Sequence, residues 1–319
     1  MDVVWLAVLT LLLGGWSVLD GFVLGLGMLL PRLGATPAER RLVLTGMGPF
    51  FLPNEVWLIA GAGVMTGAFP HFETDLFAGC WPVVVALLAS WIARDAAVWF
   101  RSRRESDGWR TWWDRTLAVA SLCFALAFGI LIGNLVQGLP GPGERSFLHL
   151  INPFTLLCGL SVMLLFALHG AVFVALRVTH APGERAQEIA TALVRPTLLA
   201  VALTVVVGAV SGQVRAALDL PVPALVLAVL GLVAVALAGQ VLVKRPGRAF
   251  ALTAVGAGMP GLVALIGGAS ALLEGAGDAA SLTLFARMGL PVLPVILIAQ
   301  AWSWWLFRHR VGERSVVFF

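Results

Sequence analysis

The chain has 319 residues, 60% of them hydrophobic and only 12% charged, with a mean hydropathy of +0.95. That balance excludes a soluble globular domain and fits an integral helical membrane protein, whose apolar side chains face lipid or a neighbouring helix. The formal charge of +4 and pI near 9.7 do not mark a nucleic-acid partner, because the arginines sit in short clusters between apolar runs, where they fix membrane orientation.

A helix needs about 20 apolar residues to cross a bilayer. Nine runs qualify: 3–30, 46–69, 77–100, 116–137, 152–176, 196–217, 222–243, 250–273 and 288–308. The sixth and seventh are separated only weakly, by Arg215, Asp219, Pro221 and Pro223. The expected fold is therefore an all-α integral membrane protein of nine transmembrane helices packed as helix bundles, one polytopic domain over residues 1–319. With the amino terminus outside and the carboxyl terminus cytoplasmic, all 21 lysines and arginines except Arg145, Arg215 and Arg287 fall on the inner side. The first 30 residues lack a basic leader, and their apolar run is too long for a cleavable signal. Cys80, Cys123 and Cys158 lie scattered in apolar runs, without the spacing of a disulfide framework or zinc site.

The first span carries Asp20 in GWSVLDGFVLGLGMLLP. Gly21 and Gly25 form a small-xxx-small pair, extended by Gly27, on a face that lets another backbone approach. Asp20 is either a carboxylate satisfied by neighbouring donors or a functional group. The second run, GMGPFFLPNEVWLIAGAGVMTGAFP at 46–70, concentrates polar groups at its inner end. Pro49 and Pro53 are expected to break its first turn, and Asn54 and Glu55 follow at once. A carboxylate near lipid depth is a functional-site hypothesis by default. Trp57 fits either an interfacial tryptophan belt or a site role.

In the third span, Arg94 and Asp95 are placed near the inner surface, where a long arginine snorkels as an anchor. RSRRESDGWRTWWDR at 101–115 reads as a loop lying along inner headgroups or docking a partner. Asn134, Gln137 and Asn152 gather on the outer side as helix caps. His169 in the fifth span is a lone histidine, either hydrogen-bonded to a neighbouring helix or a haem ligand; no second axial ligand matches its depth, and CxxCH is absent. Spans six to eight read as scaffold or lipid contact, and the ninth closes on AWSWWLFRHRV, tryptophans beside a basic tail. No P-loop, dinucleotide fingerprint or nucleophile elbow is present.

Taken in order, GWSVLDGFVLGLGMLLP, GPFFLPNEVWLIAGAG, GWRTWWDR, GNLVQGLP, LINPFTLLCGL and AWSWWLFRHRV resemble subunit II of the cytochrome bd-type quinol oxidases. The resemblance is strong through the fifth span, thin over the sixth to eighth, and returns at the ninth. It implies a multi-pass subunit of the cell membrane that forms a heterodimer with a homologous subunit I, among membrane lipids, with room for a small single-helix subunit. In that family haem b, haem d and the quinol site belong to subunit I, where quinol electrons reduce dioxygen to water with protons taken from the inner side. The resemblance thus implies no catalytic, cofactor-binding or metal-binding residue in this chain. Glu55, Asp20 and Asn54 are then expected in a proton path or polar network, and Trp57 beside the dioxygen path. The chain departs from the family pattern GPxWDGNEVWL, with Phe51 for tryptophan, Leu52 for aspartate and Pro53 for glycine, and from DGFDLGxG, with Val23 for the second aspartate. Leucine carries no proton, so either Glu55 and Asp20 take over that role, or the partner does, or the chain is a divergent paralogue with altered chemistry. The rival readings are a non-catalytic structural or assembly subunit, and a small-molecule carrier built on the proline-broken helix.

Overall fold

The computed structural model describes residues 1–141 and 147–312. Arg145 and Arg314, used above for orientation, lie outside the described residues. Thirteen α-helices follow one another: α1 (Asp2–Leu33), α2 (Pro37–Ala68), α3 (Pro70–Phe100), α4 (Asp107–Gln137), α5 (Phe147–Leu150), α6 (Pro153–Arg177), α7 (His180–Val210), α8 (Gly212–Ala217), α9 (Pro221–Val241), α10 (Pro246–Gly267), α11 (Ala269–Glu274), α12 (Ala279–Gly289) and α13 (Val292–Leu306). Among the described residues, nine spans are long and apolar enough to cross a membrane, with α12 and α13 together forming the ninth. No β-strand occurs there beyond an isolated bridge between Val178 and Val311.

The helix starts show why several boundaries lie upstream of the apolar runs. Thr36 Oγ1 accepts from the Glu39 backbone N–H at 3.2 Å, and Glu39 Oε2 accepts from the Thr36 N–H at 3.3 Å, a capping box with Pro37 in the first turn. α2 therefore begins at Pro37, and Pro49 and Pro53 lie inside a continuous helix instead of breaking its first turn. Packed neighbours make interior prolines tolerable in a membrane helix. Ser106 Oγ caps α4 by accepting from the Trp109 N–H at 3.4 Å, so GWRTWWDR forms the opening turns of that helix and not a loop. Asp114 anchors those turns, accepting from Arg101 Nε at 2.5 Å and Arg40 Nη1 at 3.2 Å. The sixth span likewise starts early, at His180, with Pro196 inside it.

α1 is the hub, packed on α2, α4, α6 and α10. Its glycine face meets α6 backbone to backbone: a Cβ at Gly25 would overlap the Phe166 carbonyl, and one at Gly170 would overlap the backbone of Gly25 and Leu26. The half of the bundle that contains the α1–α6 contact at Phe22 is closed by rings, with Phe22 stacked on Phe173 at 4.1 Å and Phe50 against Trp304 at 4.5 Å. α6 is the most enclosed span, whereas α7 and the α12–α13 pair turn most of their surface outward. A clasp holds the last span: Arg177 donates to the Phe307 carbonyl, Val311 N–H to the Arg177 carbonyl at 2.8 Å, and Thr179 N–H to the Val311 carbonyl at 3.0 Å.

Candidate functional site: a carboxylate fork among three spans

Asp20 on α1, Glu55 on α2 and Arg94 on α3 converge although 39 and 74 residues separate Arg94 from its partners. Arg94 Nη1 donates to Asp20 Oδ2 at 2.6 Å, Nη2 donates to Glu55 Oε1, and Nε donates to Asp95 Oδ1 at 2.9 Å. Trp91 Nε1 also donates to Glu55 Oε1 at 3.2 Å, and the guanidinium lies 5.1 Å from the centre of the Phe51 ring. The Arg94 and Asp20 side chains are each 1% exposed, Glu55 is 10% exposed and Asp95 28%. Arg94 is thus no snorkelling anchor. A buried guanidinium is tolerated only when paired, and two carboxylates on adjacent helices stand within its reach.

The planar guanidinium offers donors in a fixed fork and keeps its own proton. Three carboxylates share that single cation, so the group is anionic when all are ionised. A proton on any one of them relieves the charge. Asp20 Oδ1 is buried without a hydrogen-bond partner, and so is Trp16 Nε1 one turn earlier. Chemically, the fork can hold, release and redistribute a proton.

A second string runs beside it. Asn54 Nδ2 donates to the Leu19 carbonyl at 2.6 Å, Gln300 Nε2 donates to Asn54 Oδ1 at 3.0 Å, and Trp57 Nε1 donates to Gln300 Oε1 at 3.1 Å. Trp57 is therefore a buried member of the bundle and not part of an interfacial belt. It lines an apolar groove of about 1080 Å³ between α1, α10 and α13, together with Gly14, Gly15, Gly258 and Trp304. All four singled-out residues lie in this region: Asp20 and Glu55 in the fork, Asn54 and Trp57 in the amide string. Sequence reasoning missed Arg94 as the fork's centre, Asp95 and Trp91 beside it, and Gln300. A lone amide in the apolar run before AWSWW was the only signal for Gln300.

The departures from the family pattern sit in apolar settings. Val23 is buried in the core, and Leu52 is 52% exposed. His169 is fully buried with both ring nitrogens engaged, Nδ1 with Thr253 Oγ1 at 2.8 Å and Nε2 with the Val18 carbonyl at 3.1 Å. An axial haem ligand needs one of those nitrogens, so His169 does not fit that role. Among the described residues no group of three or more His, Cys, Asp or Glu could hold a metal ion. Of the three amides expected as helix caps, Asn152 caps α6 by accepting from Thr155 N–H at 3.0 Å, whereas Gln137 and Asn134 link to it in a chain, Asn152 donating to Gln137 Oε1 at 3.1 Å and Gln137 to Asn134 Oδ1 at 3.2 Å.

The sequence model of one family, described as cytochrome bd terminal oxidase subunit II, matches residues 1–307. The chain belongs to that family. As a subunit II it is part of a haem-containing terminal oxidase complex and is a multi-pass protein of the plasma membrane. It is 28% identical to the cytochrome bd ubiquinol oxidase subunit 2 of Bacillus subtilis, covering 98% of this chain and 97% of that one. Two further relatives match over part of their length. The probable cytochrome oxidase subunit 2 of Haemophilus influenzae is 33% identical over 58% of this chain. The cytochrome bd-I ubiquinol oxidase subunit 2 of Escherichia coli K12 is 31% identical over 63% of it. The chain spans about half the length of these last two, 51% and 55%. The structure of the bd oxidase from Geobacillus thermodenitrificans contains a chain of the same fold, with a TM-score of 0.72 and 15% identity over 96% of this chain and 98% of that one.

Proposed function

We propose that this subunit II works in a quinol:dioxygen oxidoreductase, packed against a homologous subunit I that carries haem b, haem d and the quinol site. Quinol supplies the electrons, and dioxygen is reduced to water on the partner's haems. The observation that carries this chain's share is the Arg94 fork, which joins Asp20, Glu55 and Asp95 across three spans. In this reading the fork holds protons on their way from the inner side, and the Asn54–Gln300–Trp57 string fixes α2 against α1 and α13. The groove lined by Trp57 offers an apolar lateral path for dioxygen. The orientation that suits this role has the amino terminus outside and the carboxyl terminus cytoplasmic, with basic residues clustered inside.

Leu52 and Val23 favour one rival, a purely structural subunit, because both replace proton-carrying side chains of the family pattern. One purification separates the two. The tagged chain is expected to co-purify with a haem-bearing partner, and the complex is expected to consume dioxygen with quinol. A haem-free, free-standing chain would overturn the proposal. An active complex indifferent to changes at both Asp20 and Glu55 would favour the structural reading.

A further inference from the structure

Resting on the oxidase reading, the fork raises the question of how a proton reaches its two buried carboxylates from water. Position 52, one turn before Glu55, is an exposed leucine and carries none. Glu55 is 10% exposed and already accepts from both Arg94 and Trp91. Asp95 is different: its carboxylate is 28% exposed, yet it is tied to the fork through Arg94 Nε at 2.9 Å. It is the least buried carboxylate of this group. At the other end, the buried Asp20 Oδ1 has no donor, so the fork contains an acceptor atom that none of its own groups satisfies.

We propose that Asp95 is the proton-collecting carboxylate of this subunit, loading the buried Glu55–Asp20 pair across the Arg94 guanidinium. A hydrated proton at the inner surface protonates an Asp95 oxygen. That O–H bond then breaks as a bridging water delivers a proton to Glu55 or to Asp20 Oδ1, leaving Asp95 ionised for the next cycle. Arg94 keeps all its protons throughout and serves to hold the three carboxylates together. No electron moves in the step, and the fork gains one proton from water for each one it passes on. Asp95 thereby does from α3 what an aspartate at position 52 would do from α2.

The test uses the intact complex with its haem-bearing partner. Asp95→Asn keeps the size and an oxygen acceptor for Arg94 Nε but cannot carry a proton. Quinol-driven dioxygen consumption should fall roughly 100-fold, the scale for losing a positioned proton-transfer group, with haem spectra unchanged. Adding Leu52→Asp to the Asp95→Asn variant should restore most of the rate, because it returns an exposed carboxylate one turn from Glu55. A merely structural Asp95 would not be rescued from another helix. Asp95→Asn at the wild-type rate overturns the inference, and so does a loss that Leu52→Asp leaves unrepaired. A wild-type complex that does not reduce dioxygen overturns the oxidase reading itself and takes this inference with it.

Discussion

Arg94 Nη1 and Asp20 Oδ2 stand 2.6 Å apart, with both side chains 1% exposed, and this contact ties α3 to the hub helix. Direct packing cannot substitute for it, because a charge removed from water is stable only while its partner stays. Arg94→Gln should therefore cost about 3–5 kcal/mol, the usual penalty for leaving buried charge uncompensated. Arg94→Lys should fall between, since a single ammonium cannot serve three carboxylates in fixed directions. Denaturant melts of the purified complex measure both; equal stability of Arg94→Gln and wild type would refute the argument.

Glu55 accepts from two donors on α3, Arg94 and Trp91. Glu55→Gln keeps the shape and one acceptor but removes the exchangeable proton. Turnover of the complex is expected to fall about 10-fold or more while the haem spectra persist. Unchanged turnover would remove Glu55 from the mechanism.

Gln300 is the shared link between Asn54 and Trp57. Gln300→Leu strands the Trp57 indole N–H and the Asn54 carbonyl, each a buried polar atom costing about 1–3 kcal/mol when unpaired. The expected result is a lower melting temperature with an altered near-ultraviolet tryptophan signal. A melt unchanged from wild type would show that the amide string contributes nothing.

The α1–α6 contact predicts opposite outcomes at two glycines. Gly25→Ala places a methyl group into the Phe166 carbonyl, which is backbone and cannot yield, so folded yield should collapse. Gly63→Ala meets nothing within 4 Å and should be neutral, or stabilising by up to about 1 kcal/mol. Comparing folded yield and detergent resistance of the two variants checks the pair.

Asp278 caps α12, accepting from Ala280 N–H at 2.9 Å, Ser281 N–H at 3.0 Å and the Ser281 hydroxyl at 2.6 Å. The Ser281 hydroxyl and backbone N–H hold its carboxyl below the ordinary value of 3.8. A lowered folded-state value means the cap stabilises fully above the ordinary carboxylate range. That contribution fades as pH falls from about 3.8 through the lowered value. Hydrogen exchange at Ala280 and Ser281 should speed up across that acid window, and Asp278→Asn should abolish the pH dependence without removing the cap.

The nine spans were legible because hydropathy over about 20 residues dominates everything else in lipid. Gly21 and Gly25 were legible too, since small residues at helical spacing mean close backbone approach. Pro49 and Pro53 misled, because the rule that proline ends a helix comes from chains whose freed carbonyls lack packed neighbours. The Thr36–Glu39 capping box that starts α2 was present in the sequence but lay outside the apolar run. Arg94 could not be assigned from its own surroundings: an arginine at the end of a span either reaches the headgroups or turns inward. Only the adjacency of Asp20 and Glu55, a tertiary fact, decides between them.

The clasp between residues 177–179 and 307–311 has a consequence for biogenesis. Its two halves are separated by four spans, so the earlier half must wait in the bilayer until the ribosome has delivered the later one. α12 and α13 bury little of their surface, and their other ties to the bundle include the Trp5 bond to the Leu282 carbonyl, the Gln300 amides and the Trp304 ring. The clasp itself therefore closes only after the last span has been delivered.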